Sequence, residues 1–156
     1  MLPVYNILVL NGPNLSALGI RQPDIYGTAG LDVIPDMVTH VLGQRANQAI
    51  LHFYQSNSEG ALIDRLELAR NEGIHGIVLN AGAYTHTSLA IADCLAWIKI
   101  PTVEVHVSNV FARQECIRRK SFIATHAIGV ISGFGVLGYA LAVQALLEHL
   151  TRQTRV

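Results

Sequence analysis

The chain has 156 residues, no net charge, 51% hydrophobic and 14% charged residues, and a mean hydropathy of +0.36. One domain spanning residues 1–156 suits that length. Charge is scarce against the roughly 25% of an average soluble domain, which implies a surface hidden in a homo-oligomer. No apolar run approaches the ~20 residues of a membrane span, and no basic patch of the kind nucleic acid requires is present; Arg118-Arg119-Lys120 is short and local.

Apolar, strand-like runs alternate with helix-like ones. Val4–Leu10 reads as a first strand that ends abruptly at Asn11-Gly12-Pro13-Asn14, a tight turn. It has no basic region ahead of it and is not a signal peptide. Leu31–Gln48 reads as a helix, with Pro35 tolerable only in its first turn. Ile50–Gln55 is a second strand. Ser58–Asn71 is an amphipathic helix with Leu62, Leu66 and Ala69 on one face, closed by Gly73. Gly76–Leu79 is a third strand, and Thr87–Ile98 a helix capped by Thr87 or Ser88. Thr102–Val107 and Ala127–Ser132 are the fourth and fifth strands, and a helix runs from about Gly135 to Leu150. Five short apolar strands between helices predict an α/β fold: a flavodoxin-like, doubly wound five-stranded parallel sheet with helices on both faces.

The polar residues gather where this pattern places the carboxyl ends of strands, the edge at which open α/β sheets bind ligands. Asn14, Arg21 and Tyr26 follow the first strand. Asn80 and His86 follow the third. Glu104, His106, Ser108 and Asn109 close the fourth, with Arg113 and Arg118 soon after. Residues i and i+2 of a strand share a face, so Glu104 stands where a carboxylate orients the His106 imidazole as a proton donor or acceptor. Glu104, His106 and His86 also admit a metal site, although no HxH, HExxH or paired-cysteine spacing accompanies them. Tyr26 is a poor base at the ordinary tyrosine pKa of about 10. A neighbouring guanidinium, Arg21 or Arg113, stabilises its phenolate. Gly133-x-Gly135-x-x-Gly138 follows a strand and opens a helix as a dinucleotide loop does. It lies on the last strand, so it reads as close helix–strand packing. Cys94 and Cys116 lack CxxC spacing and read as free thiols of a reducing, cytoplasmic compartment.

Together these segments resemble type II 3-dehydroquinate dehydratase. Asn11-Gly12-Pro13-Asn14-Leu15, Arg21-x-Pro23-x-x-Tyr26-Gly27, Asn80-Ala81-Gly82-x-x-Thr85-His86-Thr87-Ser88, Glu104-Val105-His106-x-Ser108-Asn109 and Gly133-x-Gly135-x-x-Gly138-Tyr139 stand in that family's order. The resemblance covers nearly the whole chain. It implies a flavodoxin-like fold, no metal or other cofactor, and a dodecamer built as a tetramer of trimers. The implied reaction removes water from 3-dehydroquinate to give 3-dehydroshikimate, the same product in aromatic biosynthesis and in quinate breakdown.

The resemblance also implies residue roles. Tyr26 abstracts the proton beside the substrate ketone, with Arg21 and Arg113 supporting the phenolate. A water held near Asn14 stabilises the enolate, and His106, oriented by Glu104, protonates the departing hydroxyl. Asn80, His86 and Arg118 hold substrate hydroxyls, and backbone N–H groups near Val107 and Ser108 hold the carboxylate. Asp93 reaches into a neighbouring subunit's site, and Arg21–Tyr26 forms a closing lid. One departure bears on the site. The family spaces its two arginines four residues apart, whereas here Ile117 holds that position, leaving Arg118 or Arg119 to contact substrate.

Overall fold

The computed structural model describes residues 2–20, 24 and 28–154. The Arg21, Pro23, Tyr26 and Gly27 of the expected lid lie outside them. Five parallel strands form one sheet: β1 (Tyr5–Asn11), β2 (Ala49–Gln55), β3 (Gly76–Asn80), β4 (Thr102–His106) and β5 (Gly129–Ser132). Their spatial order is β2-β1-β3-β4-β5, the flavodoxin-like order, with its reversal between β1 and β3.

Side-chain alternation splits the core in two. Ile7, Val9, Val78, Val103 and Val105 face α1 (Ile34–Leu42) and α4 (Leu137–Gln153). Leu8, Leu10, Ile77 and Leu79 face α2 (Glu59–Asn71) and α3 (Leu89–Ile98). Every residue of β3 and β4 is buried, which is why β3 reads as a continuous apolar run up to Leu79; β4 buries Glu104 and His106 among its valines. The edges are less covered: Ile50 and Phe53 on β2 and Val130 on β5 remain substantially exposed.

The helix expected over residues 31–48 is three pieces. A 3-10 turn (Leu31–Val33) leads into α1, which carries Pro35 in its first turn. The α-helix stops at Gly43, whose φ of 56° breaks it, and a second 3-10 stretch (Gly43–Gln48) completes the crossover. The apolar period survived this change because Ile34, Val38 and Leu42 are the only fully buried side chains of α1. The helix expected from Thr87 begins at Leu89, since the Ser88 hydroxyl caps it by accepting the Ile91 N–H at 2.9 Å. Residues 82–86 form a separate 3-10 turn. Likewise β5 begins at Gly129, because Ala127 is held in a turn by its N–H to the Ala124 carbonyl.

Candidate active site

The strand reversal places the end of β1 beside the end of β3, with Asn11 paired to Asn80. The Gly12 N–H donates to the Asn80 carbonyl at 2.8 Å. A Cβ on Gly12 would lie 2.4 Å from the Ala81 carbonyl oxygen, so only glycine lets the two chains approach here. Asn14 is left-handed, φ 65°, a conformation asparagine tolerates better than most residues. Its N–H donates to Asn57 Oδ1 at 3.0 Å, and Gln55 Nε2 donates to the Gly12 carbonyl at 3.1 Å. The turn after β2 thus fixes the turn after β1.

Asn80 is held from behind. Its Nδ2 donates to the Tyr139 hydroxyl at 2.9 Å, and its Oδ1 accepts the Gly82 N–H at 3.2 Å. Tyr139 is fully buried on α4 and donates in turn to Asn11 Oδ1 at 2.6 Å. Burial pushes the Tyr139 pKa up, which keeps the phenol protonated to make that bond.

At the end of β4, Glu104 and His106 lie on one face as their spacing predicts, with His106 Nε2 2.5 Å from Glu104 Oε1. Glu104 is 1% exposed. Burial on that scale requires partners for both carboxylate oxygens, and the Ser121 hydroxyl supplies the second by donating to Oε2 at 2.9 Å. His86 stacks on His106 with ring centroids 6.4 Å apart and planes 16° from parallel. His86 Nδ1 lies 2.5 Å from the Lys120 carbonyl. A carbonyl only accepts, so Nδ1 carries the proton and Nε2 of the neutral ring is an acceptor. Burial first, then the charges of His106, Arg113 and Arg118, lower the His86 pKa, against an upward pull from the Lys120 carbonyl.

These groups surround a cavity of about 190 Å³. The β1 turn contributes Asn14, Leu15 and Leu18; the β3 end contributes Asn80, Gly82 and His86. The β4 end contributes His106, Val107 and Ser108, and the following loop contributes Arg113 and Arg118. Arg113 Nη2 donates to Ser108 Oγ at 2.9 Å. Of the two arginines that spacing left open, Arg118 lines the cavity. Arg119 instead points its Nη2 at Cys116 Sγ, 3.0 Å away. Two arginines and two histidines line the cavity with no carboxylate among the lining residues, so it suits a small, hydroxylated anion.

Asp93 does not line this cavity and is exposed on α3. Arg21 and Tyr26 lie outside the described residues. Glu104, His106 and His86 do not converge on a metal-sized point, and among the described residues no group of three His, Cys, Asp or Glu side chains does. The glycine loop is closed on its own chain. The Gly133 N–H donates to the His106 carbonyl and the Gly135 N–H to the Val107 carbonyl, at 3.1 and 2.9 Å. A Cβ on Gly138 would sit in van der Waals contact with Ile131 and Val105, 3.4 Å from each. These are the close helix–strand contacts expected of it, and they leave those N–H groups unavailable to a phosphate.

Asn57, Ser121, Lys120 and Tyr139 shape the site without having been expected to. The only signal for Tyr139 is its place after Gly138 in a quoted motif, and Ser121 lies in an irregular stretch with no periodicity to mark it.

A family model described as dehydroquinase class II matches residues 5–147. A 3-dehydroquinate dehydratase of Caldicellulosiruptor saccharolyticus is 48% identical over 146 residues, covering 92% of this chain and 97% of that protein. One from a Synechococcus species is 50% identical, covering 94% and 98%. Among solved structures, the type II dehydroquinase of Butyrivibrio crossotus superposes with a TM-score of 0.84 at 42% identity, covering 92% of this chain and 97% of that one.

Proposed function

Because the chain belongs to the class II dehydroquinase family and is a lyase that dehydrates 3-dehydroquinate, we propose that the cavity at the β1–β3 reversal is where that reaction runs, by an enolate route. Tyr26, as phenolate, takes the proton from the carbon beside the ketone, and the C–H electron pair moves into the enolate. Arg21 and Arg113 support the phenolate charge, and a water near Asn14 stabilises the enolate oxygen. The enolate then expels the hydroxyl, which leaves as water on receiving a proton from Nδ1 of His106 in its imidazolium form, the ring returning to the neutral Nε2–H tautomer that faces Glu104. Glu104 orients His106. With Nε2 facing Glu104, Nδ1 is the nitrogen left for the substrate. Substrate hydroxyls meet Asn80, His86 Nε2 and Arg118, and the carboxylate meets N–H groups near Val107 and Ser108. The Arg21–Tyr26 segment acts as the lid that excludes water.

The observation that carries this reading is the buried Glu104–His106 pair opening onto a cavity lined by arginines and no carboxylate. Half-exposed apolar side chains on both sheet edges and on α3, among them Phe53, Val130 and Trp97, support assembly into a homo-oligomer. We assign that oligomer as a dodecamer of four trimers, in which Asp93 serves a neighbour's site. The free thiols of Cys94 and Cys116 support a reducing, cytoplasmic setting.

The test is to add 3-dehydroquinate to the folded protein and follow the ultraviolet absorbance of the enone product. A steady rise that ends at stoichiometric conversion is expected. A flat trace from a well-folded oligomer would remove the assignment.

A further inference from the structure

Three consecutive residues after the arginine loop hold both imidazoles of the site. Lys120 receives His86 Nδ1 on its carbonyl, Ser121 reaches Glu104, and the Phe122 N–H donates to the Thr85 carbonyl at 3.0 Å. The Phe122 bond anchors the tripeptide to the turn that carries His86. Ser121 stands out among the three because its proton has one destination. Its Oγ accepts the Ile123 N–H at 3.1 Å and the Ala124 N–H at 3.0 Å. A hydroxyl has two lone pairs and one proton, so both lone pairs are engaged and the proton goes to Glu104 Oε2 at 2.9 Å. Oε2 is therefore an acceptor and carries no proton of its own. That leaves Oε1 facing His106 Nε2, and any proton between the two residues lies on that single line.

We propose that Ser121 is a positioning residue for His106, acting through Glu104. It locks the carboxylate plane and reserves Oε1 for the imidazole. His106 is thereby held in one ring orientation and one tautomer, with Nδ1 toward the cavity. This rests on the catalytic role given to His106 above. The geometry itself does not: it predicts a property of the resting imidazole that is measurable without substrate. Residues that orient a catalytic base or acid from behind act on turnover more than on binding.

The test compares wild type, S121A and S121T, with E104Q and the E104Q/S121A double variant. S121A is expected to lower kcat about tenfold to a hundredfold, no more than the low end of the roughly 10²–10⁴ that a positioned acid contributes, with KM within about twofold. S121T keeps the hydroxyl and is expected to restore most of kcat. In the E104Q background, S121A is expected to change kcat by less than about twofold, because the group it acts through is gone. An S121A loss of equal size in both backgrounds, or an S121A enzyme with unchanged kcat, overturns the proposal. In the ligand-free protein, 15N spectra are expected to show one His106 tautomer protonated at Nε2. In S121A that signal is expected to shift toward a tautomer mixture while His86 keeps its Nδ1 proton. Unchanged His106 signals in folded S121A also overturn the proposal. Should S121A not fold, S121C takes its place, since a thiol fills the space but donates weakly. If wild type does not convert 3-dehydroquinate, the functional assignment fails, and the 15N comparison decides the inference alone.

Discussion

The imidazoles of His86 and His106 lie nearly parallel, 16° apart in plane, yet each is tied to a group of different charge. His106 meets a buried carboxylate, whereas His86 meets only the Lys120 carbonyl. Burial lowers the His86 pKa below its usual 6.5. Below pH 6.5 the unfolded chain takes up a proton at this position before the folded chain does. Proton uptake by the unfolded state favours unfolding, so His86 reduces stability as pH falls through 6.5 toward its folded value. Urea midpoints measured from pH 7.5 to 5.5 are expected to drop less steeply for H86Q than for wild type. Equal slopes would mean that His86 titrates alike in both states.

Tyr139 joins the last helix to the ends of β1 and β3 through one hydroxyl that donates to Asn11 and accepts from Asn80. Tyr139→Phe leaves the Asn11 oxygen without its donor and the Asn80 amide without its acceptor, both in buried surroundings. Orphaned buried polar groups cost about 1–3 kcal/mol each, so the expected loss of unfolding free energy for the two is about 2–6 kcal/mol by denaturant titration. The freed Asn80 amide loses its fixed orientation, and KM is expected to rise several-fold. A variant as stable as wild type would show that the hydroxyl is dispensable to the end-of-strand network.

The strands were legible as short apolar runs because a parallel sheet is buried on both faces, and the Glu104–His106 pair because residues i and i+2 of a strand share a face. The reversal in strand order was expected from the flavodoxin-like reading, since alternation of strands and helices alone fits several strand orders. The crossover between β1 and β2 was not, since the apolar spacing of Ile34, Val38 and Leu42 runs up to Gly43 without announcing the break. The partners of the imidazoles were hidden for another reason. Lys120 acts through its carbonyl, which every residue has, and Ser121 lies in a stretch of short 3-10 turns between β4 and β5. Tyr139 reads as one more apolar residue of an amphipathic helix until its hydroxyl is seen to face two asparagines.

Of the two arginines, Arg118 lines the cavity while its Nε donates to Glu115 Oε2 at 2.9 Å, and Arg119 points its Nη2 at Cys116 Sγ. A charge-assisted hydrogen bond to substrate is worth about 1.5–3 kcal/mol, so R118A is expected to raise KM about tenfold to a hundredfold. R119A is expected to stay within about twofold of wild type. Steady-state kinetics on both variants checks this, and a reversal of the two effects would move the contact to Arg119.

Metal removal separates the two chemistries that Glu104, His106 and His86 admitted at first sight. Both Glu104 oxygens are engaged by His106 and Ser121, so a cation that took Glu104 as a ligand would compete with those contacts. Dialysis against EDTA is expected to leave kcat and KM unchanged. A loss of activity restored by a divalent cation would overturn the acid–base assignment of these residues.

The proposed base and acid come from different segments of the chain, and their variants are expected to fail differently. Tyr26 and Arg21 belong to the segment after β1, whereas His106 is built into the rigid end of β4. Tyr26→Phe keeps the ring and the lid but removes the proton acceptor. Its kcat is expected to fall by about 10²–10⁴, with substrate affinity by calorimetry within a few-fold of wild type. Arg21→Ala removes the cation that supports the phenolate. It is expected to lower kcat and to move the acid-side limb of the kcat profile to higher pH, since an unsupported phenol ionises at higher pH. His106→Asn leaves proton abstraction in place and blocks departure of the hydroxyl. That variant is expected to exchange the substrate proton with deuterated solvent while forming little enone, whereas Tyr26→Phe does neither. Exchange by Tyr26→Phe at the wild-type rate would show that another group takes the proton.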